Sequence, residues 1–180
     1  LSTLPLYIDD SGGISIAQIA ARARRFRREK QIGLVVIDYL QLIEPTRRSD
    51  SRVQEVTEVT KGLKALAKEL NVPVLACSQL SRGVDSRDDK RPVLSDLRES
   101  GSIEQDADVV MFVFREAYYL KSRKPEEGDT EFDKWREKWE RVEHLADLLV
   151  EKHRHGPTTK IELFFDDRFT RFKDLSERAA

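Results

Sequence analysis

Residues 34–43 read Leu-Val-Val-Ile-Asp-Tyr-Leu-Gln-Leu-Ile, an apolar strand that ends on one acidic residue, Asp38. This is the pattern of a Walker B strand, which delivers a carboxylate to a magnesium ion on nucleotide phosphates. Its usual companion, a glycine-rich loop ending in Gly-Lys-Ser/Thr, occurs nowhere in the 180 residues. The chain therefore reads as the second half of an ATP-driven motor. Alone it is expected to be inactive and to bind ATP weakly, because that loop supplies most phosphate contacts. It begins at Leu1 rather than Met, as a segment cut from a longer chain would.

Around this strand, helices and strands alternate. Leu4–Asp10 reads as a short strand stopped by Asp9-Asp10-Ser11-Gly12-Gly13. Ser15 and Gln18 form a capping box, with Ile14 and Ile19 placed as a hydrophobic staple. Ile16, Ile19, Ala20, Ala23 and Phe26 then recur at helical spacing. The arginines crowding that helix (Arg22, Arg24, Arg25, Arg27, Arg28) are expected to form a solvated face. A second amphipathic helix runs from Val53 to Leu70, and Val72–Cys77 is a short buried strand. Ser78–Asp96 is a charged loop, Ser102 and Gln105 suggest a capped turn, and Asp108–Phe114 is a further strand. Such alternation predicts an α/β fold with parallel pairing in a doubly covered sheet.

The rhythm breaks at 116–145, a charged stretch with Pro125 and Gly128 followed by a helix carrying Trp135, Trp139 and Val142. It reads as an insertion that packs onto its own domain. Leu148–Arg154 and Lys160–Phe165 predict a C-terminal β-hairpin, joined by His155-Gly156-Pro157-Thr158. One partial motor domain over 1–175 is expected, with a tail at 176–180. Net charge is −1, so any DNA contact must come from a local loop or from converging subunits. No apolar run reaches the roughly 18–20 residues of a membrane span. The single cysteine, Cys77, excludes a disulfide framework and fits a reducing, cytoplasmic setting.

Several segments, in order, resemble the C-terminal motor domain of DnaB-type replicative DNA helicases. They are Pro5–Asp10, Ile37–Leu42, Leu63–Pro73, Ser78–Arg82, Lys90–Gln105, Lys152–Pro157 and Thr170–Phe172. The run Arg-Pro-Val-Leu-Ser-Asp-Leu-Arg-Glu-Ser-Gly-Ser-Ile-Glu-Gln-Asp-Ala-Asp at 91–108 is the most specific of these. The resemblance implies a RecA-like, mostly parallel sheet flanked by helices, truncated here on its N-terminal side. It also implies a ring hexamer that uses ATP and Mg²⁺ to travel 5′ to 3′ along single-stranded DNA, with primase and a helicase loader as partners. Rival readings are a RecA- or RadA-type recombinase core and a docking module for a loader or primase. The 91–108 run argues against the recombinase.

By this resemblance Asp38 holds the magnesium shell, through water, and Gln79 senses the γ-phosphate, where a neutral amide can donate or accept. Lys152 and Arg154, two apart in Lys-His-Arg-His-Gly-Pro, match a pair that reaches a nucleotide held by a neighbouring subunit. His153 stands where the family usually has an amide. Arg98, Glu99 and Gly101 fall in the loop that meets single-stranded DNA, with Arg82 and Arg87 as further candidates. Each has a plainer alternative: a strand-end cap for Asp38 and Gln79, surface charge for Lys152 and Arg154, and a local ion pair for Arg98 and Glu99.

Overall fold

A computed structural model describes residues 4–45 and 51–175, with backbone alone at 98–100. The elements in chain order are α1 (Ile16–Lys30), β1 (Val35–Ile37), α2 (Arg52–Leu70), β2 (Val74–Ala76), α3 (Gly101–Asp106), β3 (Val109–Phe114), α4 (Glu116–Lys121), α5 (Phe132–Val142), β4 (Leu145–His153), β5 (Thr159–Asp166) and β6 (Arg171–Asp174). Short 3₁₀ helices lie at Leu40–Leu42, Arg82–Ser86 and Leu94–Ser100. The chain groups into two compact units: Leu1–Ser81 with Leu97–Ala107, and Arg82–Asp96 with Asp108–Ala180. The expected tail at 176–180 lies outside the described residues.

In the first unit, α1 starts as its capping box predicts. The Ser15 backbone N–H donates to Gln18 Oε1 at 2.9 Å, and the Gln18 N–H donates back to Ser15 Oγ. Ile16, Ile19 and Ala23 form the buried stripe of this helix. Of its arginines, Arg24 makes a two-pronged bond to Glu69 at 2.6 and 2.8 Å, Arg22 pairs with Asp9, and Arg27 donates to the Ile32 carbonyl. These are the solvated structural charges expected. α2 buries Val56, Val59, Leu63 and Leu66 and ends on Asn71, which takes the left-handed conformation (φ 49°) that closes helices. A side chain at Gly62, in the middle of α2, would run into Ile16, so the two helices meet across a bare backbone.

β1 and β2 pair in parallel, with Val35 opposite Val74 and Ile37 opposite Ala76. The apolar run at 34–43 is thus a strand for only its first part; after Asp38 the chain coils into the 3₁₀ turn Leu40–Leu42. The reason is tertiary: Leu40 N–H bonds to the Cys77 carbonyl at 3.0 Å, and Leu40 and Ile43 turn into the core. Burial of β2 is one-sided as well. Leu75 is 45% exposed, Leu34 and Val36 are open too, and Cys77 is exposed rather than enclosed. Leu4–Asp10 joins no ladder. Tyr7 stacks on Phe26 at 5.4 Å, and bonds from Arg22 and Ser11 hold the Asp9 carboxyl down to about 2. The helical turn expected at Ser102–Gln105 is present, but Ser102 does not cap it. α3 continues from the preceding 3₁₀ helix, so Ser102 sits inside it with its Oγ buried and unbonded.

The second unit is an antiparallel sheet in the order β3-β4-β5-β6. β3, expected to pair in parallel, instead runs antiparallel to β4. It alternates Val110, Phe112 and Phe114 inward with Val109, Met111 and Val113 outward. The C-terminal hairpin is present and gains a third strand at β6, through a turn where Thr170 takes positive φ (50°). α4 and α5 fill the insertion. Trp135 donates its indole N–H to the Leu120 carbonyl at 3.0 Å, stacks on Trp139 at 5.5 Å, and Lys138 pairs with Glu116 at 2.6 Å. Trp139 donates its own indole N–H to Glu143 at 2.8 Å, so both tryptophan polar handles are satisfied within the unit. Among the described residues no helix is long and apolar enough to cross a membrane.

Residues 82–96 are less loop-like than their composition predicts, and Asp96 is the reason. It is 6% exposed and accepts from Arg87 Nη1 and Nη2, at 3.0 and 2.8 Å, and from the Val93 N–H at 2.8 Å. Arg87 also donates to the Arg91 carbonyl, so this arginine is committed to the fold of the segment. Asp96→Ala is expected to destabilise the chain by about 2–3 kcal/mol, leaving the Val93 amide unpaired and the half-buried Arg87 guanidinium with only its bond to the Arg91 carbonyl. Arg24→Ala, which opens an exposed and solvent-screened pair, should leave the unfolding midpoint close to that of the unaltered chain. Urea unfolding of both variants gives the comparison.

Candidate functional site

Parallel pairing makes strand ends the natural place for chemistry, because both strands deliver their following residues to one edge of the sheet. The Ile37 carbonyl faces β2, where it accepts from the Cys77 N–H at 2.9 Å. Asp38 and Cys77 therefore leave the sheet side by side. Asp38 is exposed beyond β1, and Gln79 is exposed in the segment that follows β2. An exposed carboxylate suits a magnesium ion that keeps most of its waters, so the residue type and placement fit the group.

A residue without any role assigned from the sequence lies between these two. Gln41, in the 3₁₀ turn after Asp38, donates from Nε2 to Ser78 Oγ at 3.1 Å and accepts from the Gln79 N–H at 3.3 Å. Ser78 Oγ in turn donates to the Gln79 carbonyl at 3.3 Å. The Gln41 carbonyl accepts from Arg52 Nη2 at 2.8 Å, which ties the start of α2 to the same turn. Its position in the run Asp-Tyr-Leu-Gln was visible; its partners, 37 and 38 residues away, were not.

Lys152 and Arg154 lie in the second unit, at the end of β4. Register shifts between Val110 and Met111, whose partners are Lys152 and Val150, so Glu151 is the extra residue of a β-bulge. Bulges re-aim the side chains beside them, and this one sits directly before Lys152. Arg154 lies just past the strand and is held twice by one residue. Its N–H donates to the Asp108 carbonyl at 2.8 Å, and Nη1 lies 3.0 Å from Asp108 Oδ1. The turn that follows needs its glycine, since a Cβ at Gly156 would collide with the His153 ring.

The DNA-loop candidates divide between the units. Gly101 opens α3 in an exposed position, and nothing lies within 4 Å of where its Cβ would stand. Close contact is therefore not what requires glycine here. The side chains of Arg98 and Glu99 lie outside the described residues. Their backbone lies in the second of two 3₁₀ turns within Leu94–Ser100, which meet at a kink at buried Leu97. α3 is secured to α2 by Thr60 Oγ1 donating to Asp106 Oδ2 at 2.7 Å. Arg82 is exposed at the start of its own 3₁₀ helix in the second unit.

The sequence matches the family described as DnaB-like helicase C terminal domain over residues 1–174. It is 52% identical over 178 residues to the replicative DNA helicase DnaB of Rickettsia typhi, covering 99% of this chain and 36% of that protein. With the replicative DNA helicase DnaC of Bacillus subtilis it shares 45% identity over 179 residues, again 36% of the relative. Among solved structures, a DnaB-like replicative helicase described with its interactions with primase superposes with a TM-score of 0.77 at 40% identity, over 93% of this chain and 37% of that one. A second solved structure, described as an ATPase domain, gives 0.75 at 39% identity, over 91% of this chain and 52% of its own length. The fold is thus RecA-like, with its parallel pair at β1–β2 and an antiparallel set at the C-terminal end. The chain spans little more than a third of the curated relatives that it matches, and it belongs to the family of DnaB-like helicase C-terminal domains.

Proposed function

We propose that this chain works as part of an ATP-dependent replicative DNA helicase, a hexamer that hydrolyses ATP to move 5′ to 3′ on single-stranded DNA. The observation that carries the reading is the shared edge of β1 and β2, from which Asp38 and Gln79 both emerge. Asp38 would hold a magnesium ion through the ion's water shell, and the chemistry supplied there would be charge neutralisation for phosphoryl transfer. Gln79 contacts the γ-phosphate through its amide, which donates to phosphate without adding charge. Lys152 and Arg154 act on the nucleotide of a neighbouring subunit, with the arginine fork matching phosphate oxygens. Arg98, Glu99 and Gly101, with Arg82, lie toward DNA, where six copies sum into a basic track. Primase and a loader are the expected protein partners.

In the full-length protein that carries this chain, Asp38→Asn is expected to reduce ATP turnover by about 10²-fold or more, with an unchanged unfolding midpoint. The swap keeps shape and removes the charge. Turnover near the normal rate would reduce Asp38 to a strand cap.

Arg154→Ala is expected to stop hydrolysis while nucleotide still binds. Mixing it with the Asp38→Asn protein should restore part of the activity, since some interfaces then pair an intact Asp38 with an intact Arg154. Mixed rings shown to form but lacking any recovery would rule out action between subunits.

Arg98→Ala combined with Gly101→Ala should weaken single-stranded DNA binding and reduce its salt slope by roughly one counterion for each phosphate that is no longer neutralised. Basal ATP hydrolysis should survive. An unchanged slope in a filter-binding titration would shift the DNA site toward Arg82.

A further inference from the structure

Gln79 is held at both of its main-chain polar groups. Its N–H donates to Gln41 Oε1 at 3.3 Å, and its carbonyl accepts from Ser78 Oγ at 3.3 Å. That hydroxyl accepts in turn from Gln41 Nε2 at 3.1 Å. The three bonds close a ring in which each group has only one consistent role. The Gln79 N–H can only donate, so the atom facing it must be the Gln41 oxygen. The Gln41 amide nitrogen is then left to donate to Ser78, whose hydroxyl proton points to the Gln79 carbonyl. A primary amide can clasp two adjacent residues this way, accepting from one through its oxygen and donating to the other through its nitrogen.

Gln41 is itself fixed from the opposite side. Its carbonyl accepts from Arg52 Nη2 at 2.8 Å, Leu40 beside it is 4% exposed, and the Leu40 N–H bonds to the Cys77 carbonyl at 3.0 Å. A displacement of the turn after Asp38 must therefore carry Ser78 and Gln79 with it, and the reverse also holds.

We propose that Gln41 is a positioning residue for hydrolysis: it locks the sensor segment Ser78–Gln79 to the turn that follows Asp38, so that the Gln79 amide is presented at a fixed distance from the carboxylate. This rests on the reading of Gln79 as the γ-phosphate contact. Gln41 acts through Gln79 and has no contact with phosphate of its own. Bonds of 3.1 and 3.3 Å at the rim of the sheet are modest as stabilisers, so their chief effect is on geometry. A misplacement of about 1 Å remote from the chemistry can cost about 10²-fold in rate.

The test compares Gln41→Leu, Gln79→Ala and the double variant in the full-length protein. It follows ATP turnover with and without single-stranded DNA, together with amide hydrogen exchange at Gln79. Gln41→Leu keeps the side-chain volume and removes both bonds. The expected result is a kcat loss of roughly ten- to hundredfold with a KM for ATP within about twofold of normal. Exchange at the Gln79 N–H should be at least roughly tenfold faster. Adding Gln41→Leu to Gln79→Ala should cost nothing more, because the group being positioned is already gone. Ser78→Ala, which breaks the ring but leaves Gln41 in place, should fall in the same direction by a smaller factor, and it replaces Gln41→Leu if that variant does not fold. An impaired Gln79→Ala beside normal Gln41→Leu and Ser78→Ala, or additive losses in the double variant, would overturn the proposal while the sensor reading stands. Normal turnover by Gln79→Ala would instead remove the sensor reading, and the proposal with it.

Discussion

The parallel register of β1 against β2 is the constraint on which the candidate nucleotide edge depends. Setting Ile37 opposite Ala76 makes the residues after both strands depart from the same edge, within reach of one another. A slip by one residue would turn every side chain of the strand to the opposite face. Register is held by packing as well as by the ladder. α2 lays Val56, Val59, Leu63 and Leu66 into the unit's core, and the buried Leu40 and Ile43 pull the turn after Asp38 inward. The carboxylate is left at the rim because its neighbours are pulled in, a case of apolar burial positioning a polar group.

A second theme is the use of side-chain hydrogen bonds where ladders end. Gln41 holds the segment beyond β2, Asp96 organises the stretch before α3, Thr60 ties α3 to α2, and Asp108 holds Arg154 beyond β4. Gln41 and Asp108 each bond a candidate site residue directly, Gln79 and Arg154. Backbone that has left a strand or helix still carries polar groups that need partners, and a side chain from another segment supplies them while fixing where the chain goes. This gives the polar residues of the Arg91–Asp108 run distinct tasks. Asp96 and Asp106 serve packing, Asp108 restrains an arginine, and Arg91 pairs with Asp147 at 2.6 Å with its guanidinium over Phe114. What reads as one motif is spread over both units.

Elements with strong local signals emerged from the sequence directly. The capping box and apolar spacing gave α1, and a long amphipathic stripe gave α2, because both depend on residues three to four apart. The hairpin around Gly156-Pro157 and the helix carrying Trp135 and Trp139 were legible for the same reason. Asp38 could be singled out because an apolar run ending on a carboxylate is a local pattern. Roles for Gln79, Lys152, Arg154 and Arg98 came from resemblance to a family, since nothing local distinguishes an amide at a strand end from any other.

Pairing partners and second contacts required tertiary structure. Whether β3 runs parallel or antiparallel to its neighbour depends on which edge it meets, and its alternating apolar pattern suits either arrangement. The early end of β1 follows from Leu40 bonding to the distant Cys77 carbonyl, and the bulge at Glu151 from a mismatch between two strands rather than a property of one. Sequence by itself determined α1, α2 and the tryptophan-bearing α5, the acidic strand end and the family, because those rest on spacing and residue type along the chain. Only the tertiary structure decided that Gln41 clasps Gln79, that Arg87 belongs to Asp96 and that Asp108 holds Arg154. A hydrogen bond needs two groups brought within about 3 Å at the right angle, and the fold alone sets which distant residues meet.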